Sequence, residues 1–164
     1  MARYIVDSQI DNHEKYYFIR EQESQDIVLL PSKYLMHKKR SKLSPNTIRR
    51  SAGAISYYLN YIDETGIQLD DVWEMPYDKQ QEHFTDYLIW LQEGLHSGDS
   101  YKKKPYNETC NAYLKEVFRF YRFSGQQDES IKQLKVLSDM RIIVHNSVVV
   151  IRTIYMYSFH VYLQ

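Results

Sequence analysis

The sequence predicts an all-α fold in which four helices over residues 28–126 form a bundle. A short N-terminal arm or hairpin precedes this bundle and an apolar C-terminal tail follows it. Apolar residues recur at helical spacing in four segments, and helix start and stop signals separate these segments. The chain of 164 residues has only 5 Gly and 4 Pro, and 43% of its residues are hydrophobic. This composition favours a globular chain over disorder or a collagen-like structure. The length fits one ordinary domain with modest extensions.

The N-terminal part is predicted as an arm over residues 1–27. Aromatic and β-branched residues alternate in two short runs, 3–6 and 15–19, which favours a small hairpin or an extended arm. The first helix is predicted over 27–40, where apolar residues return at helical spacing and Pro31 lies in the first turn, which tolerates proline.

The second helix has the clearest start signal in the chain. Ser44 is placed to cap the helix, and Pro45 supplies a preset φ at the first helical position. The helix runs to about residue 63, and Gly66 ends it. Its predicted buried stripe consists of Ile48, Ala52, Ile55, Leu59 and Ile62.

Two further helices are predicted after an acidic stretch. The third begins after Pro76 and ends before Gly94 and Gly98, with an acidic outer face. The fourth follows a loop that contains Lys102, Lys103 and Lys104. Its predicted buried face consists of Cys110, Tyr113, Leu114, Val117, Phe120 and Tyr121, whereas Lys115, Arg119 and Arg122 form a separate basic stripe.

The net charge of zero hides a strong segregation of charge along the chain. Residues 31–60 contain 7 basic and no acidic side chains, residues 61–99 contain 1 basic and 10 acidic, and residues 100–124 contain 6 basic and 2 acidic. No acid neutralises the first basic block, which is therefore either a solvated helix end and turn or a surface that contacts phosphates.

The residues give little evidence for a disulfide, a metal site or an acid–base site. The single cysteine, Cys110, excludes an internal disulfide and a cysteine-based zinc site, and its surroundings indicate a small buried hydrophobe. The acidic side chains at 78, 82 and 86 indicate a solvated face rather than a metal or acid–base site. We therefore predict no metal, cofactor or small-molecule substrate. We expect a cytoplasmic bacterial protein, associated with the nucleoid if bound to DNA.

Two motifs resemble those of the tyrosine recombinase family, which includes phage integrases and transposon recombinases. The first opens the second helix and consists of Leu43, Ser44, Pro45, Asn46, Thr47, Ile48 and Arg49. The second lies in the fourth helix, where residues 109–114 are followed by Phe120, Tyr121, Arg122 and Phe123. The resemblance covers 28–126 and implies the SAM-like core-binding domain, which clamps duplex DNA. Ala112 and Phe118 depart from the family pattern, which often has basic residues there.

The catalytic half of the family is not found in this sequence. Of the six histidines, only His37 is followed three positions later by an arginine, Arg40, and this pair lies in the first predicted helix, inside the region that resembles the core-binding domain. No such motif follows residue 126, where a catalytic half would supply it to stabilise the phosphotyrosyl intermediate. The chain is therefore predicted to have no catalytic residues and no enzymatic activity alone. Residues 127–164 are predicted as a linker and an atypical apolar tail with strand-like composition. The hypothesis is a truncated or frame-disrupted recombinase from a mobile element.

The predicted function is binding of double-stranded DNA in DNA integration or recombination, with other recombinase subunits as a second partner and no membrane. The alternative is a small helical protein-interaction module that uses the acidic middle and the apolar tail. Thr47 is better suited to capping its own helix than to contacting DNA. The lysines of the 102–104 loop are equally suited to DNA contact and to an ordinary solvated surface. The predicted DNA-binding residues are Lys38, Lys39, Arg40, Lys42, Asn46, Thr47, Arg49, Arg50, Lys102, Lys103, Lys104, Asn111, Lys115, Arg119 and Arg122.

Overall fold

The computed structural model describes residues 2–98, 104–127 and 132–137. The chain forms two compact units, Met1–Gly66 and Ile67–Gln164. The predicted all-α class is wrong, because the described residues contain a two-stranded antiparallel hairpin besides six helices and are about 61% helix and 13% strand. Lys102, Lys103 and the predicted strands of the tail beyond residue 137 lie outside the described residues.

The hairpin of the first unit consists of β1 (Tyr4–Asp11) and β2 (Glu14–Glu21). The strands pair in a register that places Tyr4 opposite Glu21 and Asp11 opposite Glu14. The two turn residues, Asn12 and His13, both have positive φ, at 48° and 64°. This is the geometry of a type I′ turn, whose twist matches that of the flanking strands.

The hairpin belongs to the fold of the first unit and is not an arm attached to a helical bundle. Ile19 of β2 is fully buried. Side chains of the helices satisfy the strand backbone. The amide of Asn60 bonds the Tyr4 N–H and C=O at 2.9 Å, and the Ser32 hydroxyl accepts the Ile19 N–H at 3.2 Å. A lone hairpin is marginally stable in water, and these contacts explain why this one forms.

Two helices complete the first unit, α1 (Leu29–Arg40) and α2 (Pro45–Thr65). The predicted signals of α2 are confirmed: the Ser44 hydroxyl accepts the Thr47 N–H at 3.2 Å, and Gly66 ends the helix in the left-handed conformation at φ 71°. All five residues of its predicted apolar stripe are buried. Leu29 at the start of α1 is 64% exposed, although it is one of the apolar residues that return at helical spacing in this segment.

The second unit contains α3 (Asp71–Glu74), α4 (Tyr77–Gln92), a 3-10 turn (Leu95–Ser97) and α5 (Asn107–Gly125). The sequence did not predict α3 or the 3-10 turn, because both are shorter than two helical turns and show no periodicity. The predicted face of α5 is buried except Tyr113, which is half-buried. Aromatic rings fill this core: Trp73 meets Tyr121 edge-on with ring centroids 5.0 Å apart, and Phe84 meets Phe118 at 4.9 Å.

A segment of the predicted linker, residues 132–137, packs into the second unit. Leu134, Val136 and Leu137 are buried. The fully buried Gln80 fixes this segment, since its Nε2 donates to the Val72 carbonyl at 2.7 Å and its Oε1 accepts the Val136 N–H at 3.2 Å. Within the described part of the chain, no helix is long and apolar enough to cross a lipid bilayer.

Candidate nucleic-acid interface

The turn between α1 and α2 carries the largest group of exposed cations in the first unit. We define the basic turn as Arg40, Lys42, Arg49 and Arg50, all of which are exposed. None of these four side chains has an ion-pair partner among the residues the structure describes. Arg49 donates only to the Asn46 side-chain oxygen, at 3.3 Å. The basic turn therefore presents four positive charges that no carboxylate of the described residues neutralises.

The backbone of this turn is held by helix caps on both sides. At the end of α1 the Ser41 N–H bonds to the His37 carbonyl at 3.1 Å, and the Lys42 N–H bonds to the Lys39 carbonyl at 3.0 Å. Lys42 has φ 58°, a left-handed conformation that glycine or asparagine usually occupies after a helix. On the other side Ser44 caps α2, and its hydroxyl lies 2.8 Å from the Thr47 hydroxyl. Thr47 thus takes part in the cap of α2.

Two lysines of the predicted site are engaged elsewhere in the fold. Lys38 is only 8% exposed, and its Nζ lies 5.3 Å from the centroid of the Tyr34 ring. The Nζ of Lys39 lies 3.2 Å from a Glu14 carboxylate oxygen and 5.2 Å from the centroid of the Tyr16 ring. Hydrogen bonds from Lys39 and then from Tyr16 lower the pKa of Glu14. We therefore leave both lysines out of the basic turn.

Sequence reasoning missed the acidic partner of Lys39. Glu14 lies at the tip of the hairpin, 25 positions earlier in the chain, and no local spacing links it to α1. The one sequence signal for this contact was the alternation of residues in the runs 3–6 and 15–19, which predicts two strands with a turn between them. Once that turn is placed at Asn12 and His13, Glu14 is the first residue of β2.

The second unit carries the predicted basic stripe of α5. Lys115, Arg119 and Arg122 are exposed and lie at positions i, i+4 and i+7 of one helix face. Arg119 donates to Glu116 at 3.1 Å, and this glutamate is itself only 6% exposed. Lys104 is exposed before the helix, and Asn111 is half-buried. The three cations thus share one exposed helix face, and Arg119 has a partner, Glu116, on the same helix.

The outer face of α4 is acidic, as predicted. A shallow groove there is lined by Asp78, Gln81, Glu82, Thr85 and Asp86. Glu82 pairs with Lys79 at 2.8 Å, while partial burial and then the charge of Glu82 raise the pKa of Asp86. In the described residues no group of three or more His, Cys, Asp or Glu side chains is arranged to hold a metal ion.

The one cysteine lies in the core of the second unit. Cys110 is fully buried, and burial raises the pKa of its thiol to about 11. A thiol with such a pKa remains protonated at neutral pH and is a poor nucleophile. The prediction of a buried hydrophobe is therefore confirmed for Cys110.

Comparison of the chain with known protein families, with curated proteins and with solved structures finds no match.

Proposed function

We propose that this chain binds duplex DNA through phosphate contacts made by the basic turn, as the DNA-binding part of a tyrosine recombinase. The observation that carries the proposal is the set of four exposed cations, Arg40, Lys42, Arg49 and Arg50, without a carboxylate partner among the described residues. Cations that neutralise phosphates release condensed counterions, and this release drives association with nucleic acid. Asn46 and Thr47 lie at the same helix start and add hydrogen-bonding groups.

The placement of Arg49 and Arg50 supports an anionic ligand. The N-terminal end of a helix carries a partial positive charge, and acidic residues normally stabilise it. The first turn of α2 contains no acidic residue, and the two arginines follow directly. By contrast the basic residues in the last turn of α1 complement the dipole of that helix. The start of α2 thus has no carboxylate, and a phosphate bound there would be stabilised by the helix dipole and by the two arginines.

The conformation of Lys42 supports the same conclusion. A residue with a β-carbon in the left-handed region costs roughly 1 kcal/mol relative to glycine. Lys42 occupies such a position at φ 58° where glycine would be more stable. A cation at a position that favours glycine is typical of a site where function outweighs stability.

The assignment to the recombinase family rests on the two sequence motifs, at 43–49 and 109–123. The first motif includes the cap of α2 and Arg49, so it overlaps the basic turn. The α5 stripe, Lys115, Arg119 and Arg122, is the second proposed contact, and Arg119 would exchange its Glu116 partner for a phosphate. The proposal is limited to DNA binding and assigns no step of strand exchange to this chain.

The test is fluorescence anisotropy of a labelled generic duplex titrated with the full chain over a salt series. Four phosphate contacts predict a slope of log K against log salt of about −3.5. Arg50→Glu should weaken binding at least tenfold and reduce the magnitude of the slope by about 1 or more. Lys42→Gly should also reduce the magnitude of the slope by about 1. The same substitution should raise the melting temperature, because glycine adopts the left-handed conformation without strain.

Lys79→Ala is the matched control, since it removes one exposed cation whose partner is Glu82 on the acidic face. It should leave both the affinity and the slope unchanged. No salt-dependent binding at about 50 mM salt, or equal binding by Arg50→Glu, would contradict the proposal. That result would favour the protein-interaction module, with the acidic groove of α4 as its candidate surface.

A further inference from the structure

The outer edge of β1 has backbone groups directed away from its partner strand. Val6 lies opposite Ile19, whose N–H and C=O both bond outside the hairpin, to Ser32 and to the Val28 N–H. This is a non-hydrogen-bonded pair, so the N–H and C=O of Val6 also point outward. The same holds for Tyr4, whose N–H and C=O bond to Asn60. With a period of two residues, the outward groups of β1 are those of Tyr4, Val6, Ser8 and Ile10.

Helix α2 covers only the beginning of this edge. Side chains of Ser56 and Asn60 satisfy the Tyr4 backbone. Among the described residues, no hydrogen bond reaches the outward groups of Val6 or Ile10, and the Ser8 N–H bonds only to the carboxylate of its neighbour Asp7, at 2.7 Å. The edge from Val6 to Ile10 is therefore open to another strand.

The side chains along this edge favour a second β1 strand in antiparallel orientation. With a two-fold axis at Ser8, Val6 lies opposite Ile10 of the second copy and Ser8 lies opposite Ser8, and all these pairs use outward backbone groups. On the other face Asp7 lies opposite Gln9, so no like charges meet. Ile10, which is 70% exposed, then gains an apolar neighbour.

The adjacent registers are less favourable. A two-fold axis at Asp7 places two Asp7 carboxylates directly opposite each other and requires the Tyr4 backbone, which Asn60 already occupies. An axis at Gln9 places Asp7 opposite Asp11 twice. Only the axis at Ser8 joins three residue pairs without like-charge opposition.

We propose that two copies of this chain associate by pairing their β1 strands antiparallel about Ser8, which joins the two hairpins into a four-stranded sheet. Three hydrogen-bonded residue pairs supply six N–H to C=O bonds across the interface. The Ser8 N–H leaves its own Asp7 for the Ser8 carbonyl of the second copy. Asp7 retains its ion pair with Arg20, at 2.8 Å. The surface is short, so the dimer is weak and depends on concentration.

The first test is sedimentation velocity of the full chain from about 5 µM to about 500 µM, a range that resolves weak dimers. Ile10→Lys introduces a charge at the edge and should weaken dimerisation at least tenfold. Leu95→Lys is the matched control, since Leu95 is 54% exposed in the second unit, and it should dimerise like the unaltered chain. A monomer at all concentrations, or a dimer that Ile10→Lys does not weaken, would overturn the proposal.

The second test determines the register by oxidative cross-linking. In the proposed dimer the two Ser8 Cα atoms lie about 5.5 Å apart, within the range of a disulfide. Two Gln9 Cα atoms lie about 8 Å apart, beyond that range. Ser8→Cys should therefore cross-link, and Gln9→Cys should not. The unaltered chain is the control for Cys110, which is buried, and it should not cross-link. Equal yields from both variants would overturn the register.

Discussion

Replacing Gly125 with alanine should strongly destabilise the second unit. A β-carbon at this position would lie 2.0 Å from the Lys132 carbonyl oxygen and 3.0 Å from the Trp73 ring. The φ of Gly125 is not positive, so the glycine is needed for this close approach and not for its conformation. The neighbouring chain is also fixed, because the Lys132 N–H bonds to the Gly125 carbonyl at 3.0 Å.

The size of the effect follows from what must move. An ordinary carbon–oxygen contact requires a shift of more than about 1 Å, and overpacking of this kind typically costs about 1–3 kcal/mol. If residues 132–137 detach instead, the burial of Leu134, Val136 and Leu137 is lost, at about 1.5–3 kcal/mol for each side chain as an upper bound. We expect a loss of about 2–3 kcal/mol, or roughly 10 °C in melting temperature.

Urea unfolding monitored by tryptophan fluorescence measures this loss directly. The chain contains 2 tryptophans, Trp73 and Trp90, and both lie in the second unit. Gly53→Ala is the matched control, because Gly53 lies inside α2 with no atom within 4 Å of a new β-carbon. That substitution should stabilise the protein by about 0.5–1 kcal/mol when unfolding is followed by circular dichroism.

A double-mutant cycle separates the two mechanisms of destabilisation. Leu134→Ala alone should cost about 2–5 kcal/mol. If Gly125→Ala detaches the segment, adding Leu134→Ala should cost almost nothing more, whereas a strained but docked segment gives nearly additive losses. An unchanged midpoint in Gly125→Ala would refute the packing of residues 132–137 against the end of α5.

Three further predictions concern single side chains. Asn60→Ala removes the amide that bonds the Tyr4 backbone and should cost about 2 kcal/mol in urea unfolding; a neutral result would contradict the anchoring of the hairpin. His13→Gly should raise the melting temperature, since glycine adopts the observed φ of 64° more easily by about 0.5–1 kcal/mol. Burial lowers the pKa of His83 to about 4, so the unfolded chain binds this proton first as the pH falls. The free energy of unfolding should therefore not depend on His83 above about pH 6.5. Below that pH it should fall, by at most about 3 kcal/mol towards pH 4, and His83→Gln should remove this decline.

The sequence predicted the long helices well because their ends carry strong local signals. Ser44, Pro45 and Gly66 bound α2 in the structure as expected from their capping chemistry. The fold class was wrong for a physical reason: residues that stabilise the hairpin lie far from it in sequence. Asn60 is 56 positions from Tyr4, and no pattern within either segment indicates that they meet.

The candidate site shows a similar limit. Counting charges located the basic block at 31–60, but it could not distinguish exposed cations from those held by the fold. Lys38 lies on the buried side of α1, and Lys39 is paired with a residue of the hairpin. Helical periodicity indicates the buried position of Lys38, which is four residues after buried Tyr34. The pairing of Lys39 depends on tertiary structure and could not be predicted locally.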